Sequence, residues 1–289
     1  MKSLKIFLEM VKIEHSIFAL PFALIGMMWA ANGWPGWEKF GLIVVAMVSC
    51  RTAAMAFNRI VDRHIDAENP RTAMRAIPAG LLAPSMATIY LVLSIVIFVT
   101  AAAMLNPLAV ALSPIALLFT LGYSFTKRFT WLCHFVLGFS LGIAPTAAWI
   151  GVSGVIGTPV LALTAAVTFW TAGFDIIYAL QDDEFDRERG LQSIPARFGR
   201  VAALWISRGC HVITVISLIG AGILLSAEPL YFVGAVFAAG LLTYEQSMVK
   251  PNDLSKVNMA FFTLNGYVSI GVFLFALLDL WQRQSPLKP

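Results

Sequence analysis

The feature that most constrains this chain is a series of continuously apolar stretches, each about 20 residues long. An α-helix of that length crosses a hydrocarbon core of about 30 Å, because each helical residue adds about 1.5 Å. Short joints rich in Pro, Gly or charged residues separate the stretches. Nine of them are predicted to span a membrane, at about residues 16–34, 39–60, 84–105, 108–126, 131–152, 159–180, 200–225, 229–248 and 258–282.

The composition excludes most other classes of protein. Of the 289 residues, 59% are hydrophobic and 12% are charged, whereas a soluble domain carries roughly 25% charged residues. Too few polar side chains remain to cover a soluble surface. An outer-membrane barrel is excluded because its strands alternate apolar and polar residues. The sequence therefore predicts an all-α integral membrane bundle of nine transmembrane helices, with residues 1–289 forming a single polytopic domain.

Basic residues are distributed unevenly among the joints, and this predicts the orientation. Cytoplasmic loops of membrane proteins are enriched in Lys and Arg. The first stretch is interpreted as a retained helix rather than a signal peptide, since Glu9 and Glu14 precede it and no clear small-residue cleavage site follows. No basic stripe lies on a soluble face, so no nucleic-acid partner is expected. The joints predicted to lie inside contain Lys2, Lys5, Lys12, Arg63, Arg71, Arg75, Lys127, Arg128, Arg187, Arg189, Arg197, Arg200, Lys250 and Lys256.

The acidic residues gather at the ends of the second and sixth stretches. In the first cluster, Asn58, Asp62 and Asp66 recur every four residues. Each helical residue turns about 100°, so these three lie within about 80° of one helix face. Arg51 lies on the same face, about two turns deeper. The second cluster repeats this spacing with Asp175, Tyr178, Asp182 and Asp186.

Two acidic clusters at helix ends predict a metal-assisted phosphate site. A charged side chain at the centre of a membrane helix costs about 2.5–3.5 kcal/mol, so such residues usually face a polar cavity. Neighbouring carboxylates repel one another, and a divalent cation removes that repulsion. Oxygen ligands without His or Cys favour Mg²⁺, which proteins commonly hold through one or two carboxylates and substrate phosphates. Phosphate contacts are predicted for the basic residues on the same side, Arg71, Arg75, Lys127 and Arg128, although the positive-inside bias also accounts for basic residues there.

At these residues the sequence resembles the membrane aromatic prenyltransferase family, of the 4-hydroxybenzoate polyprenyltransferase type. The first motif of that family is Asn-Asp-x-x-Asp-x-x-x-Asp, which Asn58, Asp62 and Asp66 match, while Arg59 occupies the second position. Three further blocks follow in the family's order. They are Asn69-Pro-Arg71-Thr-Ala-Met-Arg75-Ala-Ile-Pro78-Ala-Gly80, then Tyr123-Ser-Phe-Thr-Lys127-Arg128, and finally Asp175-x-x-Tyr178-x-x-x-Asp182-x-x-x-Asp186.

The resemblance implies a fold and a set of site residues. It implies nine helices around a lateral, lipid-accessible cavity with a cytoplasmic cap. It also assigns Asp62, Asp182 and Lys127 to catalysis. Mg²⁺ and the diphosphate would be held by Asn58, Asp62, Asp66, Asp182 and Asp186. Substrate contacts would come from Arg51, Asn58, Arg71, Arg75, Tyr123, Arg128 and Tyr178, with Arg51 and Arg128 as partners for the carboxylate of the acceptor.

The implied activity is Mg²⁺-dependent transfer of a polyprenyl group from an isoprenoid diphosphate to a small aromatic acid. A 4-hydroxybenzoate-type acceptor would place the protein in ubiquinone biosynthesis. A dihydroxynaphthoate, for menaquinone, would fit the same two Arg residues, and the variant Arg59 keeps both acceptors open. An ion-coupled transporter is a less favoured alternative because the carboxylates gather at one membrane face. The expected location is the bacterial inner membrane, with the site facing the cytoplasm.

Overall fold

The computed structural model describes residues 2–11 and 18–284, and their regular structure is helical apart from one isolated bridge between Lys250 and Asp253. Residues 12–17, which include Lys12 and the start of the first predicted stretch, lie outside the described part. The α-helices are α1 (Lys2–Val11), α2 (Leu20–Ala31), α3 (Trp37–Val61), α4 (Arg63–Glu68), α5 (Pro84–Leu105), α6 (Pro107–Thr126), α7 (Cys133–Ser153), α8 (Thr158–Ala179), α9 (Asp183–Glu188), α10 (Ile194–Leu224), α11 (Pro229–Met248) and α12 (Asn265–Gln284).

Helices coincide with the predicted apolar stretches, and the all-α membrane class is confirmed. Within the described ranges, seven helices are long and apolar enough to cross a membrane, namely α3, α5, α6, α7, α8 with its extension through α9, α10, and α12 with the turn before it. Helix α2 is apolar but has 12 residues. Helix α11 has 20 residues and ends with the polar Glu245 and Gln246. The number of nine membrane crossings therefore stays a prediction.

The outer surface of the bundle is apolar, as a lipid-facing surface requires. Large hydrophobic side chains such as Ile89 and Val96 on α5, and Val212 and Ile216 on α10, are exposed. An exposed apolar surface of this extent is a site of contact with lipid or another apolar partner. These helices therefore carry apolar residues both on the side that packs in the bundle and on the side that faces outward.

Small residues allow α7 and α8 to pack closely. A Cβ atom on Gly138 would overlap the backbone oxygen of Thr168, and one on Gly142 would overlap the same residue's side chain. Gly at four-residue spacing is a common device at membrane helix interfaces, where van der Waals packing replaces the hydrophobic effect. This contact fixes the positions of two helices that carry cavity residues.

Helix α12 is preceded by one wide helical turn, the π-helix Met259–Leu264. Such a turn disturbs the regular backbone ladder and frequently marks a functional site. Asn265 compensates by donating hydrogen bonds to the carbonyl oxygens of Ala260 (3.0 Å) and Phe261 (3.2 Å). The buried Trp170 of α8 donates to Asn265 Oδ1 at 2.6 Å. The wide turn is thereby tied to the centre of the bundle.

The close approach of α7 and α8 predicts the effect of one added methyl group. Gly138→Ala should destabilise the protein by about 1–3 kcal/mol, because the new Cβ atom would meet backbone that cannot move aside cheaply. Thermal unfolding in detergent measures this as a lower Tm. The matched control is Gly209→Ala on α10, where no atom lies within 4 Å of an added Cβ. An equal drop in Tm for both variants would contradict the packing interpretation.

Candidate active site

A single large cavity contains most of the predicted site residues. Its volume is about 1190 Å³, and its walls come from α3, α5, α6, α7, α8 and the segments that join them. The acidic clusters and their basic partners line one end. The deeper walls are apolar, with side chains that include Ile43, Met47, Leu112, Phe139 and Ile143. The cavity thus joins a charged end to a hydrophobic interior.

The first acidic cluster lies where α3 ends. Asn58 donates a hydrogen bond to Asp62 Oδ2 at 2.8 Å, and Arg128 donates to Asp62 Oδ1 at 2.8 Å. Arg59, which occupies the second position of the first motif, donates from Nη1 to Asn58 Oδ1 at 2.9 Å. It therefore orients the side-chain amide of Asn58, the first residue of that motif. Burial raises the pKa of the Asp62 carboxyl above its ordinary value, although Arg128 opposes this.

The second acidic cluster is held by the segment that follows α4. Both Oδ atoms of Asp182 accept hydrogen bonds from the guanidinium of Arg71, and Asn69 donates to Asp182 Oδ1 at 3.0 Å. Arg71 also donates to the hydroxyl of Tyr178 at 3.0 Å. Burial disfavours the charge on Arg71, but the Asp182 carboxylate outweighs it and holds the pKa of the guanidinium above its ordinary value. These contacts join α8 to a segment more than 100 residues away in the sequence.

Two further acid–base pairs complete the polar end. Arg75 Nη1 lies 2.6 Å from Asp66 Oδ1, and Lys127 Nζ lies 2.7 Å from Asp186 Oδ1. Burial disfavours the charge on Lys127, but the Asp186 carboxylate outweighs it and raises the pKa of the ammonium. Each of the four aspartates at this end therefore has one Arg or Lys beside it.

The donor atoms at this end suit Mg²⁺. Among the described residues, no hydrogen-bond donor meets the buried Asp66 Oδ2, and none is well aligned with either oxygen of Asp186 despite the nearby Lys127. Buried carboxylate oxygens with unused acceptor capacity fit a hard cation that takes oxygen ligands. In the described ranges, no group of three or more His, Cys, Asp or Glu side chains is close enough to hold a metal alone. The residues present therefore fit a cation that also takes oxygens from a bound phosphate group.

The structure brings nearly all of the predicted site residues to the wall of one cavity. Asp186 differs, since its side chain is fully buried and contacts Lys127 without lining the cavity. It belongs to α9, which follows the 3-10 turn Leu180–Asp182. The residues on the wall are Arg51, Asn58, Asp62, Asp66, Arg71, Arg75, Tyr123, Lys127, Arg128, Tyr178 and Asp182.

Sequence reasoning missed two polar contributors. Asn69 binds Asp182 directly, and its position just before Pro70 and Arg71 in the loop block is the signal that could have found it. His134 lines the cavity and contacts Asp175 across 41 residues of sequence. A lone His at the start of an apolar stretch carries no signal of such a partner.

Together the fold and the site define a class: a polytopic helical membrane protein whose large cavity joins a charged end to an apolar chamber. The UbiA prenyltransferase family model matches residues 19–267. The chain belongs to that family and is a membrane transferase. It is 31% identical over 279 residues to a 4-hydroxybenzoate octaprenyltransferase of Aliivibrio salmonicida, covering 95% of this chain and 96% of that protein.

Other relatives and solved structures agree with this assignment. A 4-hydroxybenzoate octaprenyltransferase of Vibrio cholerae is 30% identical over 271 residues, covering 92% of this chain and 93% of that protein. The apo structure of a UbiA homolog from Aeropyrum pernix K1 superposes with a TM-score of 0.84 at 34% identity, over 93% of this chain and 98% of that one. A UbiA homolog from Archaeoglobus fulgidus bound to GPP and Mg²⁺ shares the fold, with a TM-score of 0.70 at 19% identity over 96% of this chain and 99% of that one.

The contacts of Arg71 predict a loss of stability when its charge is removed. Arg71→Met should lower stability by about 1–3 kcal/mol, because the buried Asp182 would lose its charged hydrogen-bond donor. Arg71→Lys should recover part of this loss, since an ammonium keeps the charge but cannot reproduce the two-pronged contact. Thermal unfolding measures both effects.

The matched control is Arg187→Met, because Arg187 is 58% exposed and lies 3.9 Å from Asp183. Exposed pairs contribute little to stability, so this variant should unfold like the wild type. A larger loss for Arg187→Met than for Arg71→Met would contradict the ranking.

Proposed function

We propose that this protein transfers a polyprenyl group from an isoprenoid diphosphate to an aromatic hydroxy acid of the 4-hydroxybenzoate type, with Mg²⁺, in quinone biosynthesis. The observation that carries the proposal is the joining of four acid–base pairs to a deep apolar chamber in one cavity. The activity of the relatives, which are 4-hydroxybenzoate octaprenyltransferases, supports this choice of donor and acceptor.

The charged end is suited to binding and releasing a diphosphate. Mg²⁺ bound by Asn58, Asp62, Asp66 and Asp182, with Asp186 behind them, would neutralise charge on the diphosphate as a Lewis acid. The side chains of Arg75, Lys127 and Arg128 hold positive charge where the leaving group departs. Preorganised charges of this kind stabilise the developing negative charge without further reorganisation.

The apolar chamber is suited to the prenyl tail. Burial contributes about 0.8 kcal/mol for each CH₂ group removed from water, so the lining needs no specific polar contact to the tail. The same lining keeps water away from the allylic cation, which must react with the ring first. Tyr178 and Phe261 stack at the boundary between charged end and chamber, with ring centroids 4.2 Å apart, and aromatic faces of this kind attract cations.

Arg51 is placed to receive the carboxylate of the acceptor. It lines the cavity on α3, about 10 Å deeper than Asn58 by helix rise. An acceptor bound there would present its ring to the reacting carbon of the prenyl group. Ring attack then proceeds through the carbon next to the hydroxyl-bearing carbon. A dihydroxynaphthoate carries the same carboxylate, so Arg51 fits that second acceptor as well.

The orientation of the site follows from the basic joints. The segments after α3 and α6 carry Lys and Arg residues that meet the acidic residues at the charged end. Arg200 of α10 binds the basic segment after α11, because it donates to the carbonyl oxygen of Pro251 at 3.4 Å. By the positive-inside rule this end faces the cytoplasm. The proposed location is a bacterial inner membrane, where the diphosphate substrate reaches the site from the cytoplasmic side.

An acceptor panel with one polyprenyl diphosphate tests the proposed reaction. We expect Mg²⁺-dependent release of diphosphate and a prenylated product with 4-hydroxybenzoate, and loss of both after chelation by EDTA. The methyl ester of 4-hydroxybenzoate should react poorly because it cannot pair with Arg51. Product with a dihydroxynaphthoate alone would assign the menaquinone reaction instead. No product with any acceptor, together with ion-coupled flux in vesicles, would overturn the proposal.

Two aspartate variants test the metal assignment. Loss of a residue that only supports a metal ligand lowers activity by roughly 10–100-fold. Asp62→Ala and Asp182→Ala should each lower turnover by more than this, because each removes a proposed ligand itself. The control is Asp183→Ala, because Asp183 pairs with Arg200 at 2.8 Å and does not line the cavity. It should keep the wild-type Mg²⁺ dependence. Retained activity in Asp62→Ala or Asp182→Ala would contradict the assignment.

A further inference from the structure

One carboxylate in the cavity has a different kind of partner from the others. Asp175 Oδ2 lies 2.7 Å from Nδ1 of His134, and these side chains are 22% and 4% exposed. Both residues line the cavity. His134 begins α7 and Asp175 lies on α8, so the close packing of the two helices holds the pair together. This pair has no role in the reaction as described so far.

The pair differs from the other pairs because its basic member is an imidazole and not an Arg or Lys. Each aspartate at the charged end has an Arg or Lys beside it. Among the described residues, His134 is the sole hydrogen-bond or ion-pair partner of Asp175. Asp175 is therefore the cavity carboxylate whose charge no neighbouring Arg or Lys of the described ranges cancels.

The hydrogen bonds of His134 fix which atom carries its proton. The backbone N–H of Ile194 donates to His134 Nε2 at 3.2 Å, so Nε2 is an acceptor. A neutral imidazole carries its one proton on the other nitrogen, and Nδ1–H therefore donates to Asp175. The carboxylate accepts this bond in its charged form and keeps lone pairs for a second proton donor in the cavity.

The depth of the pair matches that of the proposed acceptor. Asp175 precedes Asp182 by seven residues, so it lies about 10 Å deeper along α8. Arg51 lies about the same distance below Asn58 on α3. An aromatic acid anchored at Arg51 is thus at the level of Asp175, while the diphosphate lies nearer the charged end.

We propose that Asp175 is the proton acceptor of the prenyl transfer and that His134 is the residue that positions it. This rests on the function proposed above. The bond between the prenyl carbon and the diphosphate oxygen breaks, and its electron pair leaves with the diphosphate. A ring carbon of the acceptor forms the new carbon–carbon bond. That carbon then loses its proton to the Asp175 carboxylate, and the ring regains aromaticity.

His134 acts through Asp175 and not on the substrate. Its Nδ1–H donates to Oδ2, and among the described residues no hydrogen-bond donor binds the other carboxylate oxygen. Because Ile194 fixes the second ring nitrogen, the imidazole cannot take the proton itself in this arrangement. The bond between Ile194 and His134 thus selects Asp175 as the base.

A ring-deuterated acceptor distinguishes this role from a structural one. Asp175→Asn should lower prenyl transfer by about 10²–10⁴-fold, the usual contribution of a general base. Its rate should also fall further with 4-hydroxybenzoate deuterated at both carbons next to the hydroxyl-bearing carbon, because proton loss becomes rate-limiting. Binding of the prenyl diphosphate, measured by titration calorimetry with Mg²⁺, should match the wild type.

Variants of His134 provide a second measurement. In His134→Asn the amide Nδ2 occupies the place of Nδ1 and can donate to Asp175, so activity should largely return. His134→Phe removes that donor and should show the same isotope effect as Asp175→Asn. These variants keep the inference testable even if Asp175→Asn fails to fold. The control is Asp279→Asn, a buried carboxylate on α12 paired with Arg283 outside the cavity, which should show no isotope effect.

The outcomes separate this inference from the proposed function. If the wild type prenylates no aromatic acid, the proposed function fails and the inference fails with it. If the wild type is active and Asp175→Asn keeps full activity without an isotope effect, only the inference fails. Low activity of both His134 variants, with unchanged isotope ratios, would likewise overturn the pairing and leave the proposed function standing.

Discussion

A carboxylate buried among membrane helices is costly unless a positive charge lies beside it, and this requirement organises the charged end of the protein. Removing two charges from water costs several kcal/mol each, which only close pairing offsets. Asp62 pairs with Arg128, and Asp182 pairs with Arg71. Each pair joins segments separated by more than 60 residues. The same contacts therefore neutralise the buried charges of the site and connect the segments that form it.

These pairs also prepare the site for an anionic substrate. In the proposed reaction, Mg²⁺ and the diphosphate bring opposite charges to the same place. The carboxylates can then turn to the cation and the basic side chains to the phosphate oxygens, so no charge is left without a partner at any stage. The part of the chamber proposed for the prenyl tail needs no such exchange, because its walls and the tail are both apolar.

The fold class was predictable because a membrane helix can be recognised from its length and apolarity alone, as α3 and α5 show. The aspartate spacing predicted that Asn58, Asp62 and Asp66 share one helix face. The structure places all three on the wall of one cavity with Asp182, although α3 ends at Val61 and α4 begins at Arg63. Periodicity cannot show contacts between distant segments, so it does not reveal the bond from Asn69 to Asp182. The spacing also does not show that Asp186 is buried against Lys127 and away from the cavity wall. Helix α2, with 12 residues, shows that apolarity overestimates the length of a helix when a loop is also apolar.

The wide turn before α12 has a consequence for the aromatic wall of the cavity. Phe261 stacks on Tyr178, and the adjoining Phe262 lies across it, with ring centroids 6.2 Å apart. An ordinary α-helical turn would hold one residue fewer and rotate each of these rings by about 100°. The amide of Asn265, which binds two carbonyl oxygens of this turn, thus holds the register that places both rings on the cavity wall.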